Sequence, residues 1–112
     1  MSSYNGVIVY EIHPNGCLNG VYSNDHTDTN NEIFNEIARK KPTNEINDIE
    51  GLYTCCYIDL NSESFKCDLQ IKNNNDQYEF TWYETGLPTQ WKFKGKGWKT
   101  RENQITVWYW GR

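Results

Sequence analysis

Residues 65–72, Phe65-Lys66-Cys67-Asp68-Leu69-Gln70-Ile71-Lys72, alternate apolar and polar side chains without a break. Successive side chains of a strand point to opposite faces, so this pattern makes a ribbon with one dry face and one wet one. The same period returns in Tyr78, Phe80 and Trp82 against Glu79 and Thr81, and again in Ile105, Val107 and Tyr109 against Thr106. Between them Trp91 and Phe93 alternate with Lys92 and Lys94 and run into Gly95-Lys96-Gly97. Asn73-Asn74-Asn75-Asp76 and Gly86-Leu87-Pro88 supply turn chemistry at the joints. The second half of the chain therefore reads as an antiparallel meander, with Phe65, Leu69, Ile71, Phe80, Trp82, Phe93, Ile105 and Val107 expected inward.

The first half opens the same way. Val7-Ile8-Val9-Tyr10-Glu11-Ile12 is a strand, Pro14-Asn15-Gly16 a hairpin turn, and Cys17 to Tyr22 the returning strand. A short helix is then expected over residues 30–41. Thr29 and Glu32 have capping-box spacing, Ile33, Phe34 and Ile37 form a short apolar stripe, and Arg39, Lys40 and Lys41 precede Pro42. A further strand follows over residues 51–60. The expected fold is mainly β: an up-and-down antiparallel barrel or curled meander of about seven to eight strands, in a single domain over residues 1–112 with the helical insertion at 30–41. Closure would remove the exposed edges that an open meander leaves.

Composition narrows the function classes. Five Trp, eight Tyr and four Phe favour sheet, and the net charge of −4 lacks the basic balance of nucleic-acid binders. No apolar run approaches the roughly 18 residues of a membrane span, and the first residues lack the basic and apolar regions of an export signal. A cytoplasmic setting follows as an expectation. The four cysteines, Cys17, Cys55, Cys56 and Cys67, are then expected to be unpaired, with adjacent Cys55 and Cys56 on opposite faces.

Three segments look like the small calycin-type barrels, the avidin-like and lipocalin-like domains. Gly16-Cys17-Leu18-Asn19-Gly20-Val21-Tyr22 is similar to the G-x-L-x-G-x-Y strand of avidin-like proteins, and Ile49-Glu50-Gly51-Leu52-Tyr53 resembles the G-x-Y strand after it. Tyr78 to Trp82 followed by Gly95-Lys96-Gly97 resembles the end of small lipocalin-like domains. The lipocalin G-x-W opening is absent. The resemblance implies an architecture and no particular ligand.

Catalytic signals are lacking. There is no nucleophile elbow, no Cys–His signature and no zinc-protease motif, and Gly95-Lys96-Gly97 opens no helix that could hold a phosphate. Of the two histidines, His13 sits in a turn and His26 lies in a polar loop without metal-site spacing. No cofactor or metal is expected. The favoured role is a non-catalytic module holding a small molecule in an aromatic-lined barrel. Tyr78, Trp82, Trp91 and Tyr109 would supply the rings, Gly95 and Gly97 the space, and Glu84 a polar contact. The alternative is a protein-interaction module, an inhibitor, an adaptor or a homo-oligomer, using Trp98, Trp108 and Trp110. Trp108 and Trp110 make the last strand apolar on both faces, which demands two covers; the helix could supply one. The lysine–aromatic run from Trp91 to Lys99 argues against nucleic acid, because its aromatic and basic side chains should part to opposite faces.

Overall fold

The alternating segments pair edge to edge in a computed structural model, which describes residues 5–25, 34–42, 48–58 and 64–111. The strands are β1 (Asn5–Ile12), β2 (Cys17–Asn24), β3 (Phe34–Lys40), β4 (Gly51–Ile58), β5 (Ser64–Asn74), β6 (Gln77–Tyr83), β7 (Trp91–Arg101) and β8 (Gln104–Gly111). Each pairs antiparallel with the next, and β8 returns to β1 in a register running from Asn5 opposite Trp110 to Glu11 opposite Gln104. The sheet is a closed eight-stranded up-and-down barrel with no free edge.

The inner face is nearly the one that alternation requires. Leu69, Ile71, Phe80, Trp82, Ile105 and Val107 are buried inside, with Phe93 packed partly buried against them. Phe65 lies at the rim and is more exposed. Cys55 is buried and Cys56 points the other way. Cys55 and Cys67 stand directly opposite each other as free thiols.

The two ends of the barrel differ. At the lower end Asn75 and Asp76 both adopt positive φ (53° and 69°), the backbone of a tight hairpin whose twist matches its strands. Residues 48–50 fold across this end. Ile49 is buried, and Tyr53 Oη donates to its carbonyl at 2.6 Å. Tyr78 Oη donates to Asp48 Oδ1 at 3.1 Å, and Lys40 Nζ to the Asp48 carbonyl at 2.7 Å. Burial, reinforced by the Asp48 bond, pushes the Tyr78 phenol up to about 12. At the upper end the β6–β7 connection stands beside a ring-lined barrel mouth, where the β2–β3 and β4–β5 connections lie outside the described residues.

The helix expected at 30–41 is corrected. Residues 34–40 are β3, while residues 30–33, the capping box and His26 lie outside the described residues. Phe34, Glu36 and Ala38 face inward and Asn35, Ile37 and Arg39 outward, a period of two that the neighbours Phe34 and Ile37 had disguised. Pairing with β2 on one side and β4 on the other overrides the local helical signals, because the ring cannot close without this strand. The helix offered as a cover for the outer face of β8 is accordingly not there.

Candidate functional site

Two tyrosines cross glycines to reach polar partners, and together they organise the upper half of the interior. Tyr10 on β1 stands opposite Gly20 on β2, which stands opposite Glu36 on β3. A Cβ on Gly20 would meet the Tyr10 ring at 2.8 Å, so only glycine lets that ring lie across β2. The Tyr10 hydroxyl thereby reaches Glu36 Oε2, two strands away. Tyr109 on β8 repeats the device: its ring lies over Gly6, and its hydroxyl accepts from Asn24 Nδ2 at 3.0 Å.

Glu36 is 6% exposed inside the barrel. Besides Tyr10, Trp82 Nε1 donates to its Oε2 at 3.2 Å, and Cys55 Sγ lies 3.5 Å from the same oxygen. Burial raises its carboxyl pKa, and the three donors only partly counter that by favouring the ionised form. The same environment pushes the Tyr10 phenol well up, burial first and the Glu36 charge second. The bond to Cys67, with burial, holds Cys55 as a thiol. The result is a weakly acidic polar centre whose donors come from β1, β4 and β6.

Above it sits an aromatic ring of side chains. Tyr22 packs on Phe34 at 5.5 Å between centroids and meets Tyr57 and Tyr109 edge-on at 6.5 Å. Trp82 and Phe93 are perpendicular at 6.4 Å, and each contacts Tyr109 at 5.9 and 6.0 Å. Tyr22, Tyr57 and Phe93 are only partly buried, so these rings form the wall of a mouth as well as part of the core.

A β-bulge adds a cation. The β6–β7 register shifts between Trp82 and Tyr83, so that Trp82 faces Phe93 but Tyr83 faces Trp91. Lys92 is the extra residue. Its Nζ donates to Tyr57 Oη at 3.1 Å and lies 4.0 Å from Glu84 Oε1. Burial lowers the Lys92 pKa, but the Tyr57 bond and nearby negative charge outweigh it and leave the ammonium more firmly charged.

The residues expected to bind a ligand separate accordingly. Trp82 and Tyr109 belong to the mouth. Trp91 is turned to the outer face by the bulge, where Lys94 Nζ lies 4.7 Å from its ring centroid. Glu84 is exposed on the turn after β6. Tyr78 is at the opposite end, where its hydroxyl donates to Asp48. Gly95 and Gly97 leave no space: a Cβ would meet Val107 Cγ1 at 2.8 Å from Gly95 and Val107 Cγ2 at 2.9 Å from Gly97. The expected interaction face is outward, with Trp98 and Trp108 46% and 49% exposed and Trp110 partly buried. Sequence reasoning missed Glu36, Tyr10, Tyr22, Tyr57 and Lys92. The inward parity of Tyr10 and Tyr22 was legible, but Glu36 had been assigned to a helix and Lys92 to the wet face. Among the described residues no cluster of three metal-ligating side chains occurs, and no helix is long and apolar enough to cross a membrane. Comparison with known proteins gives no match, whether to a protein family, to a curated protein or to a solved structure.

Proposed function

We propose that the chain is a non-catalytic binding module that takes a small, partly aromatic molecule with an anionic group into the upper mouth of the barrel. The observation that carries this reading is the half-buried ring set Tyr22, Tyr57 and Phe93 standing beside the Lys92 ammonium. Eight-stranded barrels are wide enough to hold one small ligand, and ligand sites combine apolar walls with a few oriented polar groups. Lys92 keeps donor capacity beyond Tyr57, and Glu84 at 4.0 Å is a weak competitor. Glu36, its carboxyl made less acidic by burial and its oxygen engaged by Tyr10 and Trp82, gives the floor polarity.

Kinship with lipocalin-like or avidin-like domains is part of the same proposal; the closed up-and-down strand order supports it. A reducing, cytoplasmic setting is supported by the buried thiols of Cys55 and Cys67.

The test is a titration with aromatic carboxylates and their uncharged amides, followed through Trp82, whose indole belongs to both the mouth and the Glu36 centre. Carboxylates should bind more tightly than amides. Lys92→Met should remove that difference, about tenfold or more for a lost charge-assisted hydrogen bond. Phe93→Ala should weaken both. Absence of saturable binding, or a Lys92→Met variant that keeps the preference, overturns the proposal.

A further inference from the structure

Outside the barrel, β7 and β8 bring tryptophan and lysine together on one face. Lys94 stands directly opposite Trp110, Lys96 opposite Trp108, and Trp98 opposite Thr106. Three successive rows of the hairpin thus each present one indole, and the first two also present an ammonium. The rows are spaced by two residues, about 6.8 Å along the strand. Trp108 and Trp110 have ring centroids 5.1 Å apart, and Trp108 and Trp98 are 49% and 46% exposed. On the β1 side the neighbours are the uncharged Asn5, Val7 and Val9. On the β6 side Thr81 lies across from Lys94 and Glu79 across from Lys96.

We propose that this face binds single-stranded nucleic acid. The ligand must offer flat apolar groups beside negative charge, because the face sets indoles beside ammonium groups. A single strand does so: bases stack on aromatic side chains while lysines track the phosphates. Trp108 and Trp110, 5.1 Å apart, pack on each other and offer one composite platform for a base, and Trp98 in the third row offers a second. A convex barrel wall suits an open strand better than a duplex, whose bases are turned inward. The expectation against nucleic acid assumed that aromatic and basic side chains part to opposite faces of one strand. On β7 they do not part: the bulge turns Trp91 outward beside Lys94, Trp98 shares that face, and β8 adds Trp108 and Trp110 to it. The net charge of −4 gives no long-range attraction, so binding rests on these contacts alone.

The experiment is fluorescence anisotropy of a labelled oligothymidine of about twelve nucleotides, within the span single-strand sites cover. The full chain should bind it in preference to a duplex of the same length. Trp108→Ala should weaken binding about tenfold or more, and Trp98→Ala, which removes a ring from a separate row, should do the same. Both side chains are half-exposed, so an unchanged thermal midpoint verifies that the variants fold. Neutralising two phosphates predicts a salt slope near −1.4 on a logarithmic scale, about a sevenfold loss between 50 and 200 mM. The Lys94→Gln, Lys96→Gln double variant should flatten it. Five results overturn the proposal: no binding of the oligomer, affinity indifferent to both tryptophan changes, binding only to anionic phosphatidylserine vesicles, a dimer that Trp108→Ala converts to monomer, or capture of a defined protein with loss of oligomer binding. The last three would assign the face to a membrane, to a second copy of the chain or to that protein.

Discussion

Glu36 is the carboxylate at the centre of the buried polar cluster, and its shift in acidity has a sign. Its carboxyl holds a proton to higher pH in the folded chain than in the unfolded one. In that window the native state binds more protons, so stability must fall as pH rises above the ordinary glutamate value of about 4.3. Glu36→Gln keeps an acceptor for Tyr10 and Trp82 but cannot ionise. Denaturant unfolding across the mildly acidic to neutral range should therefore show a flatter profile for the Gln variant, with its stability at neutral pH at least equal to the parent's. A steeper loss in the Gln variant would mean that the centre needs its negative charge. Glu36→Ala is different in kind: it strands the Tyr10 and Trp82 donors inside the barrel and should cost about 1–3 kcal/mol for each one left unsatisfied. At Gly95 the expected outcome is a damaged fold rather than a blocked cavity. A side chain there meets Val107 and the Trp108 carbonyl within 3 Å, so Gly95→Leu should unfold at markedly lower temperature whether or not any ligand is present.

At the scale of the element, β3 separates two readings of the same residues. As one face of a helix, Phe34 and Ile37 would both be buried; as a strand, Ile37 is 52% exposed and Ala38 fully enclosed. Ile37→Lys should thus change stability by no more than about 0.5 kcal/mol, and Ala38→Leu should cost about 1–3 kcal/mol by overpacking. Chemical denaturation of both variants checks the pair, and the reverse order would restore the helix. The long alternating runs of β5, β6 and β8 were legible because each keeps its period for five residues or more and its turns carry recognisable residues. β3 was not, because an outward isoleucine and an inward glutamate invert the usual code and only pairing on both sides explains them. The bulge was hidden for another reason. Nothing in Trp91-Lys92-Phe93 marks an extra residue, yet it exchanges an indole for an ammonium at the mouth. Gly95 and Gly97 were noticed but misjudged, since Val107 packs against both; at Gly20 and Gly6, which were not singled out, a tyrosine fills the room, so missing side chains mark close approaches and not vacancies.

On the scale of the whole molecule, the two proposed sites lie on opposite faces of the sheet, an inner wall around Glu36 and an outer ladder on β7 and β8. They share a structural member, since the β7–β8 pair carries Phe93 and Tyr109 inside and Lys94, Trp108 and Trp110 outside. Ligation at the mouth and on the ladder can be read separately, because Phe93→Ala and Trp108→Ala alter opposite surfaces of that pair. The return of β8 to β1 has a further consequence. A ring of strands has no privileged first member, and the seam is simply where the chain happens to be cut. Linking position 111 to position 5 with a short flexible segment and opening the chain between Asn75 and Asp76 moves the most distant pairing from β1–β8 to β5–β6. The permuted protein should reach the same barrel, with the same thermal behaviour to within a few degrees. What should change is the order of assembly. In the natural order closure waits on the encounter of segments at opposite ends of the chain, and until it happens β1 and β8 stand as bare edges able to recruit another molecule. Permutation hands that exposed interval to β5 and β6; on β5 the outward lysines, Lys66 and Lys72, discourage such capture, so the rearranged chain should refold at higher concentration without aggregating.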